Sequence, residues 1–126
     1  MPHTIGVSLD TSVSDSPTAR FQDSFDLNAQ YLNGVTRRIS IPVSGPFVLV
    51  GGATPFIKGV TLARFVRLMP SAPLLVAIYA AAGAPSDFTV DAKGVLFMAD
   101  VQVEFITITN PSTTDAVNVD ISIYGD

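Results

Sequence analysis

Cysteine and tryptophan are absent from this 126-residue chain, histidine occurs once, and lysine and glutamate together number three. Without cysteine there is no disulfide scaffold, no thiolate zinc site and no cysteine nucleophile. A lone His3 excludes a multi-histidine metal centre. Charged residues are 14% of the chain against 48% apolar, the reverse of what keeps a chain solvated and disordered. With Lys and Glu so scarce, the usual formers of exposed helices are missing. Met1-Pro2-His3-Thr4-Ile5 shows no basic stretch followed by an apolar run, so no secretory signal is expected.

What is present is β-forming. Val occurs 15 times, Thr and Ser 11 each, Ile 9 and Phe 8, residues that suit a pleated, half-buried surface. Nine Gly and nine Pro punctuate the chain, as short strands joined by turns require. Residues 39–57 and 68–86 carry no charge, but each holds three prolines and internal glycine. Those breakers argue against membrane helices and for buried strands.

The pattern along the chain gives eight to ten strands in one domain, residues 1–126. In Ala116–Tyr124 the aliphatics Val117, Val119, Ile121 and Ile123 alternate with polar neighbours, the mark of a sheet with one wet face. Gln102–Thr109 reads as one strand, with Glu104, Ile106 and Ile108 on one face. The turn cluster Asn110–Asp115 between them predicts a hairpin. Upstream, strands are expected at Thr4–Leu9, Val35–Val43 and Phe47–Val50, and at Arg20–Leu27, where a short helical turn is the alternative. Asp10–Thr18 reads as a loop and Asn33-Gly34 as a turn. Ile57–Met69 holds one or two strands, Leu74–Ala81 a strand apolar on both faces, and Phe88–Val90 and Val95–Ala99 complete the set. Short strands at such spacing predict an all-β antiparallel two-sheet sandwich or jelly roll, with a closed barrel as the alternative.

Charge is unevenly placed. Net charge is −4. In residues 1–34 Arg20 stands against four aspartates, a balance of −3. Residues 35–67 hold Arg37, Arg38, Lys58, Arg64 and Arg67 without an acid, and residues 68–126 balance at −6. Such segments either pair within the fold or register one copy against another. A nucleic-acid groove is disfavoured, because Arg37/Arg38 and Arg64/Arg67 are at odd spacings and point to opposite strand faces.

No constellation for catalysis or cofactor binding emerges. A triad would have to use His3 beside the terminus, and Glu104 is the only glutamate. Asp87–Asp91 with Lys93-Gly94 has the outline of a calcium loop but lacks its third acid and closing Glu. Gly51-Gly52-Ala53-Thr54 lacks the spacing of a phosphate loop. Flat aromatic platforms for sugars would fall to Tyr31, Tyr79 and Tyr124; core or interface positions are the simpler reading for them.

The C-terminal half has a family likeness. Lys58-Gly59-Val60-Thr61-Leu62-Ala63-Arg64, Ala72-Pro73-Leu74-Leu75-Val76-Ala77-Ile78, Phe105-Ile106-Thr107-Ile108-Thr109-Asn110-Pro111 and Val119-Asp120-Ile121-Ser122-Ile123-Tyr124-Gly125 resemble small β-sandwich virion proteins of tailed bacteriophages. The resemblance covers about half the chain. It implies a non-enzymatic capsid decoration (cement) protein, or another small head or tail component, made in the host cytoplasm and residing in the virion. Its implied partners are further copies of itself, a trimer being one such form, and the major capsid protein or other virion subunits. Neither nucleic acid nor membrane is implied, and no cofactor, metal or catalytic residue carries over. A carbohydrate- or surface-binding β-sandwich module is the alternative from another class.

Overall fold

The structure, a computed structural model, describes residues 3–15, 19–52, 54–79 and 86–126. Among them every regular element is a strand: β1 (His3–Asp15), β2 (Ala19–Tyr31), β3 (Asn33–Ile41), β4 (Ser44–Val50), β5 (Ala63–Pro70), β6 (Leu74–Tyr79), β7 (Ser86–Val90), β8 (Leu96–Val103), β9 (Phe105–Asn110) and β10 (Val117–Gly125). Strands β1 and β2 form a two-stranded sheet of their own. The other eight form a sandwich of two four-stranded antiparallel sheets, β3-β10-β5-β8 and β4-β9-β6-β7.

The pairs β3·β10, β4·β9, β5·β8 and β6·β7 are nested one inside the next. A ladder of nested pairs, rolled so that β10 also meets β5 and β9 meets β6, is a jelly roll, the two-sheet architecture of eight strands. The open pair of sheets replaces the barrel alternative.

Alternation decides which residues enter the core. Along β10, Val117, Val119, Ile121 and Ile123 are buried in one core with Ile41 and Leu68 of their own sheet and Leu49, Leu74, Ile106 and Ile108 of the other. The wet-side residues of β10 instead look out with Thr36, Arg38 and Ser40 of β3. Burying a branched aliphatic side chain stabilises by about 1.5–3 kcal/mol, so this period-two stripe is a principal source of cohesion.

The structure corrects four expectations. First, Gln102–Thr109 is not one strand: the chain bends at exposed Glu104, leaving β8 in one sheet and entering β9 in the other. Second, β9 and β10 are not a hairpin, since they lie in different sheets. The buried Asn110 side chain arches the connection, donating to the Ile41 and Asp115 carbonyls (3.2 and 2.8 Å) and accepting from the Ser112 amide (2.9 Å). Third, Asn33-Gly34 is no turn; both residues open β3, and Gly34 has extended backbone with φ 159°. Glycine is needed there because a Cβ would run into the Tyr124 ring and the Ile123 carbonyl. Fourth, Asp10–Asp15 is not loop but the continuation of β1, in register with Ala19–Ser24. Alternation there continues through Thr11 and Val13, which the Ser and Asp content concealed. Ile57–Met69 holds a single strand, β5. Residues 80–85 of the expected Leu74–Ala81 strand and its end lie outside the described residues, as do 16–18.

Candidate functional site

The two outer faces of the sandwich differ in kind. On the first sheet, the outward residues of β3, β10 and β5 form a polar and aromatic mosaic. Arg38 grips Asp120 on the neighbouring strand, with Nε donating to Oδ1 at 2.8 Å and the guanidinium nitrogen Nη2 to Oδ2 at 3.4 Å. That hydrogen bond holds the Asp120 carboxyl below its ordinary value and raises the Arg38 guanidinium above its own. Tyr124 and Thr36 share a hydroxyl bond at 2.9 Å, and Thr36 donates to Ser122 at 3.0 Å. Phe65 sits between Phe97 and Tyr124, edge-on to both rings at 5.5 and 6.3 Å. Internal pairing of basic and acidic strands is therefore seen here, and again where Arg64 meets Asp126 at 2.9 Å.

The outer face of the second sheet is almost uncharged. Leu75, Ala77, Thr107 and Thr109 line a shallow depression of about 390 Å³, with Asp87, Phe88 and Thr89 at its rim. Leu75 is 41% exposed and Phe88 44%, both large for apolar side chains. The exposure of Leu75 follows from the ladder. β6 lies between β9 and β7 with Leu74, Val76 and Ile78 buried inward, so Leu75, Ala77 and Tyr79 must turn out. The expectation that this segment is apolar on both faces is met for β6, and Leu75 on its outer half is exposed among the described residues. Tyr79 packs edge-on against Phe105 at 5.2 Å, extending the face. Sequence reasoning had no way to tell this exposed half from a doubly covered central strand.

A third feature lies at the side where β3 and β4 are edge strands. A cleft of about 400 Å³ is lined by Val35, Arg37, Phe56, Ile57 and Lys58. Arg37 donates to the Phe56 carbonyl at 3.0 Å, while Phe56 and Ile57 donate to Val48 and Leu49 of β4 at 2.9 Å each. The loop is thus stitched to both sheets, with two cations at an apolar floor. Arg37 and Arg38 do diverge to opposite faces, as their adjacent positions require.

The remaining candidates are dispersed. Asp87 is in β7, paired with Ala77, and Asp91 opens a tight turn in which the Gly94 amide donates to its carbonyl at 2.8 Å. Glu104 is exposed at the sheet switch, its amide donating to the Tyr79 carbonyl at 3.0 Å. Gly51 and Gly52 form a positive-φ turn ending β4. His3 opens β1 opposite Tyr31. Among the described residues no three His, Cys, Asp or Glu converge as metal ligands, and no helix is long and apolar enough to cross a membrane. Comparison with family models, with curated proteins and with solved structures finds no match.

Proposed function

We propose that this chain is a non-enzymatic structural protein of a virion, a capsid decoration protein that bridges neighbouring shell subunits. The observation that supports this reading is the uncharged outer face of β9 and β6 with exposed Leu75 at its centre. A four-stranded face of six-residue strands spans roughly 400 Å², from a strand spacing of about 4.8 Å and a rise of about 3.3 Å per residue. That is about half of what one partner of a standard interface buries. A single copy would hold its target weakly, whereas several copies joined together would bind a repeating lattice with avidity. Preferential binding to the assembled lattice then stabilises the particle by mass action. The jelly roll is shared by viral capsid and lectin domains; it is compatible with the reading and does not select it.

The test is co-sedimentation of the purified chain with tailed-phage heads, intact and dissociated, alongside Leu75→Lys. The expected result is saturable binding to intact heads only, lost in the variant. A chain that stays in the supernatant would overturn the proposal. Binding to a glycan array at the Tyr79 and Phe105 surface would put the carbohydrate-binding reading in its place.

A further inference from the structure

The two sides of the sandwich differ in chemistry. Strands β3 and β4 are the edges on one side, where the loop at Phe56 is bonded to both, and β8 and β7 are the edges on the other. Each side is marked by a core-side residue of an edge strand. On β3, Arg37 stands in register with fully buried Ile121, and paired residues share a face. At the edge it turns to the loop, donating to the Phe56 carbonyl, and with Lys58 it rims the cleft whose apolar wall is Val35, Phe56 and Ile57. On β7, Phe88 stands in register with buried Val76, yet at the last strand of its sheet it is 44% exposed. Exposed Asp87 precedes it. Among the described residues the ion pairs are Arg38–Asp120 and Arg64–Asp126. Arg37, Lys58 and Asp87, all exposed, belong to neither.

We infer that copies of this chain associate head to tail, the Asp87–Phe88 lip of one copy seated in the Arg37–Lys58 cleft of the next. Charge selects this occupant, because the cleft offers two cations and the lip one carboxylate. Apolar surface agrees with charge: the Phe88 ring meets the wall of Val35, Phe56 and Ile57, and a cation lies favourably on an aromatic face. An aromatic anchor in a pocket beside arginine is the usual centre of a protein contact. Like sides do not suit each other, since two clefts face to face would oppose Arg37 and Lys58 to their own copies. Nor is the second sheet simply extended at β4, because the Phe56 and Ile57 amides already occupy the Val48 and Leu49 carbonyls. The contact is therefore made by side chains. Lys93, which follows β7, lines a separate depression with Arg38 and Asp120.

Lip and cleft lie on opposite sides of one chain, so each added copy leaves another lip open. Such a contact closes as a ring or continues as a filament. Eight residues of β8 extend about 26 Å, and two layers are about 20 Å thick, so each copy offers roughly 500 Å². That is the low end for a specific contact, and the association is reversible. It supplies the joined copies that the outer-face reading uses, but it stands without that reading.

The experiment uses the full chain in sedimentation velocity, from about 10 μM to about 1 mM. Species heavier than twice the 13.3 kDa chain mass are expected, and they should recede as salt is raised. Arg37→Glu spoils the cleft and Asp87→Lys the lip, so each variant alone is expected at the single chain mass. Mixed, they keep one good lip and one good cleft between them, and a one-to-one dimer with nothing larger is expected. Because the chain has no cysteine, Lys58→Cys and Ser86→Cys in separate chains can join only between copies. Oxidised together they are expected to link, and Lys58→Cys with exposed Asn118→Cys to stay apart. Leu75→Lys is expected to associate as the parent does, which separates failure here from failure of the outer-face reading. A single chain mass at every concentration overturns the inference. So does a dimer that neither charge reversal disturbs, which would place like sides together.

Discussion

The hairpin and the sandwich are both antiparallel β-structure, but they are built on opposite plans. In the hairpin, partners are close along the chain, from Asp15↔Ala19 at the tip to His3↔Tyr31 at the base. In the sandwich the outermost nested pair joins Asn33 to Gly125, so most of the chain must be ordered before that ladder closes. Local pairing is cheap in loop entropy and slight in burial; nested pairing costs more to close and encloses a core. The difference predicts that stability resides in the sandwich and that the hairpin adds little to it.

The sharpest way to break that division is a cavity on each side. Ile121 is fully buried at the centre of β10, between Arg37 of β3 and Leu68 of β5 in the ladder. Ile121→Ala is expected to cost about 2–5 kcal/mol, a large share of the 5–15 kcal/mol typical of a domain. Ile5→Ala, at a half-buried position of β1, is expected to leave the sandwich's urea midpoint unchanged in dilute protein. Equal shifts in both variants would show that the hairpin belongs to the same cooperative unit.

The contrast also explains what could be read from the sequence. Alternation in 116–124 identified β10 with its inward residues, because side-chain period depends only on the local backbone, whereas 74–81, apolar on both faces, gave a strand without an inward side. The partners of β10 were not legible: Val35–Val43 and Ile57–Met69 offered strands of the right kind, but nothing local says that they flank β10 from 47 or more residues away. Nor was the sheet switch at Glu104, where one unbroken alternation crosses from one layer to the other. The outer-face site was half legible, as apolar sequence without its exposure. The length of the hairpin was hidden because residues 10–15 are rich in Ser and Asp, which read as turn until their register with β2 shows them to be strand.

Asn110 tests how the nested plan is held. Its side chain satisfies two carbonyls and one amide at the arch that carries the chain from β9 to β10. Asn110→Ala leaves those groups without partners, at an expected cost of about 1–3 kcal/mol, measured as a lower urea midpoint. Asp in its place keeps the acceptor for Ser112 and loses the donor, so an intermediate effect is expected. If Asn110→Ala were silent, the arch would be set by the strands alone.

Gly34→Ala probes the junction of the two regions, three residues beyond the end of β2. A Cβ there meets the Tyr124 ring and the Ile123 carbonyl, so the ring must leave its place against Phe65. Overpacking of this kind costs about 1–3 kcal/mol. With no tryptophan in the chain, tyrosine fluorescence reports the displacement directly. A change in stability without a change in emission would locate the adjustment in the backbone of β3 and not in Tyr124.

The smallest effect is expected at the surface, where Arg38 and Asp120 join β3 to β10. The pair is solvent-exposed, with Arg38 at 69% and Asp120 at 36% side-chain exposure, so its contribution is screened by water and salt. The sign is nonetheless fixed. Asp120 is held below its ordinary value of 3.8 by the Arg38 hydrogen bond, so the folded state binds its proton less readily than the unfolded chain. Its stabilisation is complete above the ordinary value and fades as pH falls through the depressed one. Arg38→Gln is therefore expected to return the Asp120 titration, followed by NMR, towards 3.8 and to flatten that part of the acid dependence. The urea midpoint at neutral pH should scarcely move. A midpoint change as large as that of Asn110→Ala would mean that this exposed pair, and not the buried arch, fixes β3 on β10.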